Sequence, residues 1–294
     1  MTNIQSKIGF FDSGVGGITI LAEYIKLFPN TAVEYYADSI NCPYGDKTPQ
    51  QIQQLTIQAV QYLFSRGCTL VVLACNTATA YSVRYIQQEW LPMYYPEHKV
   101  LGIIRPVSEY LEEKFILKNE KNLTYIPKIA LMATKATVLS GFYQEELNRV
   151  GVNNIINLPA SGLADAIEKN EEQLIKESIS FALKPLAQNL SNGESQPNAI
   201  ILACTHYPLA SQFILEELKH IYSNTQFSIP TLISQSNLVA QKLIQYLANH
   251  QQYLPAHGTV TFTTSGDLEF FQQQIKTILE NLQVKNEYQV RCRE

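Results

Sequence analysis

Two apolar runs in this chain end on the same Ala-Cys step and then turn polar. The first is Leu70-Val71-Val72-Leu73-Ala74-Cys75-Asn76-Thr77, and the second is Ile200-Ile201-Leu202-Ala203-Cys204-Thr205-His206. A short aliphatic and β-branched run without alternation is a strand with both faces buried, the kind that parallel sheets contain. In open α/β sheets, ligands and reacting groups gather just beyond the carboxyl ends of the strands. Each run therefore delivers a thiol to a place where chemistry is expected. Two matched thiols suit a reaction with two faces.

The first run closes a β-α-β-α-β alternation. A strand over 7–11 leads into Asp12-Ser13-Gly14-Val15-Gly16-Gly17, then a helix over 17–28 that stops before Pro29. A second strand over 32–37 ends at Asp38, ahead of a loop containing Pro43-Tyr44-Gly45. Thr48 reads as an N-cap with Pro49 at the first helical position, and Ile52, Leu55, Ala59, Val60, Leu63 and Phe64 recur at helical spacing up to Gly67. A fresh unit starts near 100–104, after the stretch bounded by Pro92 and Pro96. It contains a strand over 129–133, a helix over 140–150 and a strand over 154–158. A helical stretch toward Leu190 follows, bent or broken at Pro185, then a polar loop over 188–198 and the second cysteine run. The same order occurs twice, and a duplicated domain explains it. The fold class is α/β, with two pseudo-symmetric doubly wound domains, mainly parallel sheets and an interdomain cleft for the site. The first domain takes residues 1–99 and 212–294, with Asp12 and Cys75. The second takes 100–211, with Cys204 and His206.

With 294 residues, 46% of them hydrophobic, the chain can bury a sizeable core. A net charge of -4, with scattered Lys and Arg, offers no footprint for nucleic acid. No apolar run approaches the roughly 18 residues of a membrane span, and residues 1–7 are too polar for a signal peptide. Five cysteines without a paired pattern argue against a disulfide framework or structural zinc, and for a reduced, cytoplasmic protein. Cys68 and Cys292 read as structural, and Cys42 as a loop cysteine near the cleft.

An unpaired cysteine is ordinarily a small buried hydrophobe. Cys75 and Cys204 stand apart because each ends a buried strand and precedes amide or hydroxyl residues. Asp12 ends the first strand before a glycine-rich turn whose following helix would direct N–H groups at an anion. It reads equally as a helix cap. The turn is neither GxGxxG nor a P-loop, which disfavours nucleotide binding. His206 stands two residues beyond Cys204, as a histidine does where it assists a thiolate, or simply hydrogen-bonds at a strand end. Ser13, Asn76, Thr77 and Thr205 could bind a carboxylate or an amine, or cap helices. Two classes survive: a thiol enzyme, and a binding module closing two domains on a small ligand. Binding alone does not call for thiols, and a hydrolase needs only one nucleophile. A racemase with two acid/base groups uses both.

Together these motifs resemble the glutamate racemases of the aspartate/glutamate racemase superfamily. The resemblance rests on 8–17, Asp38 with Pro43-Tyr44-Gly45, 74–78, 133–140, 203–209 and Thr264-Ser265-Gly266-Asp267, almost the whole chain. It implies interconversion of L- and D-glutamate without pyridoxal phosphate or metal, supplying D-glutamate for peptidoglycan. It implies that Cys75 and Cys204 are the acid/base pair, Cys75 acting on D-glutamate with help from Asp12, and Cys204 on L-glutamate with help from His206. It implies substrate contacts at Asp12, Ser13, Tyr44, Gly45, Asn76, Thr77, Thr205 and His206, supporting acidic residues at Asp38 and Glu168, and a homodimer. A racemase of aspartate or another small acidic amino acid is the nearest alternative.

Overall fold

The computed structural model describes residues 6–117 and 127–293, so residues 1–5 of the polar N-terminal stretch lie outside the described residues. The chain divides into two compact units, one formed by 1–103 with 236–294 and the other by 104–235.

The first unit opens with β1 (Lys7–Asp12), α1 (Ile18–Leu27), β2 (Val33–Ala37), α2 (Pro49–Ser65) and β3 (Cys68–Leu73). Next, α3 (Asn76–Tyr85) runs through a π turn (Ile86–Trp90) into α4 (Leu91–Tyr94), and β4 (Lys99–Gly102) follows. The second unit holds α5 (Arg105–Leu111), β5 (Lys128–Ala133), α6 (Lys135–Leu139), α7 (Phe142–Arg149) and β6 (Asn154–Pro159). It continues with α8 (Leu163–Glu168), α9 (Glu172–Ser191), β7 (Ala199–Ala203), α10 (Ser211–Tyr222) and β8 (Thr231–Ser234). The chain then returns to the first unit with α11 (Ser236–Asn249), β9 (Val260–Thr264), α12 (Leu268–Asn281) and β10 (Tyr288–Cys292).

Every strand pairing in both sheets is parallel. The first sheet runs β10-β9-β2-β1-β3-β4 and the second β6-β5-β7-β8. The order second–first–third–fourth is thus common to both, with each cysteine run in third place beside its unit's first strand. In the first unit β2 is buried throughout, as are β1 after Lys7 and nearly all of β3, which requires cover on both faces. Helix α1 packs on α11 and α12, and α2 packs on α3. In the second unit the core gathers Met132, Leu158, Leu163, Ile179, Leu183, Leu202 and Leu218.

Local chemistry explains the boundaries. Thr48 accepts the Gln51 N–H at 3.3 Å while the Gln51 side chain accepts the Thr48 N–H at 3.0 Å, a capping box with Pro49 behind it. Gly67 reaches φ 87°, a left-handed turn that lets the chain leave α2 and enter β3 directly.

Two domain boundaries differ from the sequence reading, and so does the course of one helix. Residues 100–102, expected to open the second domain, pair with β3 together with Lys99 and close the first sheet. Residues 212–235, assigned there to the first domain, lie with the second unit because β8 pairs with β7. Pro185 sits inside an unbroken α9, where Ala182, Leu183 and Leu186 are buried in the core, and packing offsets the lost backbone hydrogen bond.

One fully interior carboxylate lies away from the strand ends. Glu34, in mid-β2, is unexposed and takes hydrogen bonds from Arg291 of β10 and from Thr263 Oγ1 at 2.9 Å, with Lys7 Nζ at 3.6 Å. Without Arg291 the buried Glu34 charge keeps only the Thr263 hydroxyl and the more distant Lys7 ammonium. Arg291→Ala is expected to lower the unfolding free energy by about 3 kcal/mol, read from urea denaturation. A change below about 0.5 kcal/mol would show that β10 is not held by this pair.

Candidate active site

Three adjacent strands of the first unit end together. Asp12 pairs with Ala37 at the last register of β1 and β2, Asp38 N donates to Asp12 O at 3.0 Å, and Ala74 N donates to Phe11 O at 2.7 Å. The pairing therefore sets Asp12, Asp38 and Cys75 side by side at the sheet's carboxyl edge. Asp12 is unexposed, and its carboxylate accepts the N–H of Ser13 at 2.7 Å and the N–H of Gly17. A Cβ on Gly17 would lie 2.8 Å from Asp12 Oδ2 and 2.9 Å from the Tyr35 hydroxyl, so this turn requires glycine.

Cys75 is the N-cap of α3, and its Sγ accepts the Ala78 N–H at 3.5 Å. A helix N-terminus there favours negative charge on the sulfur. Ser13 Oγ lies 3.6 Å from Cys75 Sγ and 3.4 Å from Asp12 Oδ1, so it bridges the thiol and the carboxylate. Asn76 and Thr77, the first residues of α3, are buried beside it.

Asp38 is tied into a second cluster at the same edge. It accepts from the Tyr44 hydroxyl at 2.7 Å and from Ser265 Oγ at 2.9 Å. Asn41 Nδ2 donates to both of its oxygens, and the Tyr36 hydroxyl donates at 3.3 Å. Burial pushes the Tyr44 phenol far up, with the charges of Asp38 and Cys75 adding to it, so Tyr44 keeps its proton. Gly45 lies in the same short turn, Tyr44–Asp46.

The second unit builds a different set around Cys204, which follows β7 directly. His206 Nδ1 lies 3.8 Å from Cys204 Sγ, and His206 Nε2 lies 2.7 Å from Glu168 Oε2 at the end of α8. The imidazole is 2% exposed. Burial works against its charged form, but the bonds to Cys204 and Glu168 and the Glu168 charge outweigh that, and its pKa is raised well above the ordinary value. An imidazolium here donates from both nitrogens, one to each partner. Thr205 is buried between the cysteine and the histidine in sequence.

The structure thus joins Asp12, Ser13 and Cys75 in the first unit, with the Asp38–Tyr44 cluster at the same edge. In the second it joins Cys204, His206 and Glu168. The sequence did not single out Tyr36, Tyr143 and Gln235, and it marked Ser265 only as part of the Thr264–Asp267 motif. The Gln235 amide bonds the fully buried Tyr143 hydroxyl, and burial, with the Cys204 charge, pushes that phenol up. Tyr36 sits in a wholly buried strand, and the phenol was the one available signal. Of the remaining cysteines, Cys68 is buried with its thiol pushed up chiefly by burial, Cys42 is half-buried and Cys292 exposed. Among the described residues, no three or more His, Cys, Asp or Glu side chains gather as a metal site would, and no helix is long and apolar enough to cross a membrane.

The family model for Asp/Glu/hydantoin racemases matches residues 25–227. A glutamate racemase of Paracoccus denitrificans is 36% identical over 265 residues, covering 89% of this chain and 92% of its own length. One from Ruegeria pomeroyi is 37% identical over 262 residues, covering 88% and 91%. The crystal structure of glutamate racemase isoform RacE1 from Bacillus anthracis superposes with a TM-score of 0.77 at 26% identity, covering 98% of this chain and 97% of that one.

A raised histidine stabilises the fold while it is charged. That contribution is complete below the unfolded value of about 6.5 and is lost as pH climbs through the higher folded value. Glu168→Gln is expected to bring the folded value down, so that His206 loses its proton at lower pH in NMR titration of the imidazole carbons. An unshifted titration would contradict the His206–Glu168 pairing.

Proposed function

We propose that this chain, which belongs to the Asp/Glu/hydantoin racemase family, interconverts L- and D-glutamate by proton transfer at Cα between two thiols. The observation that carries the reading is the repeated placement of a cysteine at the carboxyl end of the third strand of each sheet, each with its own polar partners. The glutamate racemases at 36–37% identity over about nine-tenths of the chain supply the substrate. D-glutamate of this origin serves peptidoglycan synthesis.

An amino acid's α-proton is weakly acidic, and a site without an electron sink must stabilise the developing carbanion through fixed donors on the α-carboxylate, in a place that excludes water. Ser13, Asn76, Thr77 and Thr205 are hydroxyl and amide side chains suited to that. Tyr44 gives its only hydrogen to Asp38, so its oxygen can accept from the substrate ammonium. In our reading one thiolate removes the proton from one face while the opposite thiol protonates the other. Cys75 acts on D-glutamate and Cys204 on L-glutamate. Ser13 connects Asp12 to the first thiol, and the imidazolium of His206 supports negative charge on the second sulfur when Cys204 is the base. Glu168 holds that histidine charged and oriented. The reaction runs without pyridoxal phosphate or metal, and the protein works in the cytoplasm as a homodimer. A chain whose cysteines form no disulfide suits a reducing compartment.

Chiral chromatography of purified protein with each acid, without pyridoxal phosphate, tests the assignment. Glutamate is expected to racemise in both directions, and conversion of aspartate alone would overturn the substrate. Cys75→Ser and Cys204→Ser are each expected to lower kcat by at least about 100-fold with the fold intact by circular dichroism. A rate near wild type in either variant would refute the two-thiol mechanism.

A further inference from the structure

The Asp38 cluster does not end at Tyr36. The Tyr36 hydroxyl, while donating to Asp38, accepts a hydrogen bond from Arg293 Nη1 at 2.6 Å. Arg293 lies one residue past β10, in a segment that none of the motifs singled out in the sequence includes. Its guanidinium sits over two rings, 5.2 Å from the Tyr36 centroid and 4.9 Å from that of Tyr62. Its backbone N–H donates to Thr264 O at 2.7 Å, and the Thr264 hydroxyl donates to Ser39 Oγ at 3.1 Å, beside Asp38. The arginine is therefore anchored by backbone, by two aromatic faces and by a phenol.

Hydrogen counting gives this chain a direction. Arginine has donors only, so the Tyr36 oxygen must accept from it. The single Tyr36 hydrogen is then committed to Asp38 Oδ1, and the single Tyr44 hydrogen to Asp38 Oδ2. Bonds linked in this way polarise one another and fix each rotor. Tyr44, 1% exposed, stands where the charge of Cys75 is felt.

We infer that Arg293 is a positioning residue for the reaction: through Tyr36 and Asp38 it fixes the Tyr44 phenol beside Cys75 with its lone pairs free for the substrate ammonium. This rests on the two-thiol racemase reading above. It assigns a working part in the first half-site to a side chain beyond the last strand.

The test is steady-state racemisation in both directions by the full chain and by Arg293→Ala, Tyr36→Phe, their double variant and Arg293→Lys. Arg293→Ala and Tyr36→Phe are each expected to raise the KM for glutamate about fivefold to tenfold while kcat stays within about twofold. The double variant is expected to match either single one, because both cut the same chain. Arg293→Lys keeps a charge and a donor and is expected to return KM to within about twofold of wild type. Unchanged KM in Arg293→Ala, a fall in kcat alone, multiplicative effects in the double variant, or no recovery with lysine would each overturn the proposal. An inactive wild-type protein would overturn the racemase reading and this one with it. An active wild type with any of those four outcomes would overturn only this one.

Discussion

Parallel pairing of the cysteine strand with the first strand of its sheet is the constraint on which the rest depends. Inside such a sheet both faces of a strand are buried, so a polar side chain is tolerated only with partners, as Glu34 has with Arg291, Thr263 and Lys7. Polar chemistry is released where the strands end. In the first unit the register sends Asp12, Asp38 and Cys75 out at one edge. In the second, β5 and β7 end together at Ala133 and Ala203, and Cys204 emerges next. Helices that begin at these edges then contribute backbone N–H groups, as Ala78 does to Cys75.

The two cysteine clusters share a place in their sheets but not their polar partners. Cys75 meets a neutral hydroxyl, Ser13, that leads to a buried carboxylate, and the N-terminus of α3. Cys204 meets a histidine held charged by Glu168. One sulfur therefore has an uncharged N–H donor, from Ala78, and the other faces an imidazole whose pKa is raised. In the proposed mechanism the two thiols, in different fields, exchange the roles of acid and base when the substrate's handedness is reversed.

Much of this was legible in the residues. The buried runs at 70–73 and 200–203, the cap at Thr48 and the glycine turn after Asp12 each specify local structure through short-range physics. They specify position in a parallel sheet as well. What was not legible depended on pairing between distant segments. Residues 99–102 carry no mark that assigns them to β3 rather than to a new sheet, and β8 is short enough that only its pairing with β7 places it. Pro185 does not break α9, because the core packing of Leu183 and Leu186 offsets its local backbone cost. In the site, Cys75, Cys204 and His206 announced themselves by spacing. Glu168 meets His206 across 38 positions, and Arg293 meets Tyr36 across 257. No periodicity records contacts of that length.

The central claim is that two separate groups handle the α-proton, one giving and one taking. The most direct measurement is initial-rate turnover of L-glutamate in deuterium oxide, with both enantiomers separated and their Cα label read by mass spectrometry or NMR. Two thiols predict D-glutamate that carries deuterium at Cα from the first turnovers, while the remaining L-glutamate keeps its protium. D-glutamate that retains the substrate's own proton, or label entering both enantiomers at equal rates, would contradict the account.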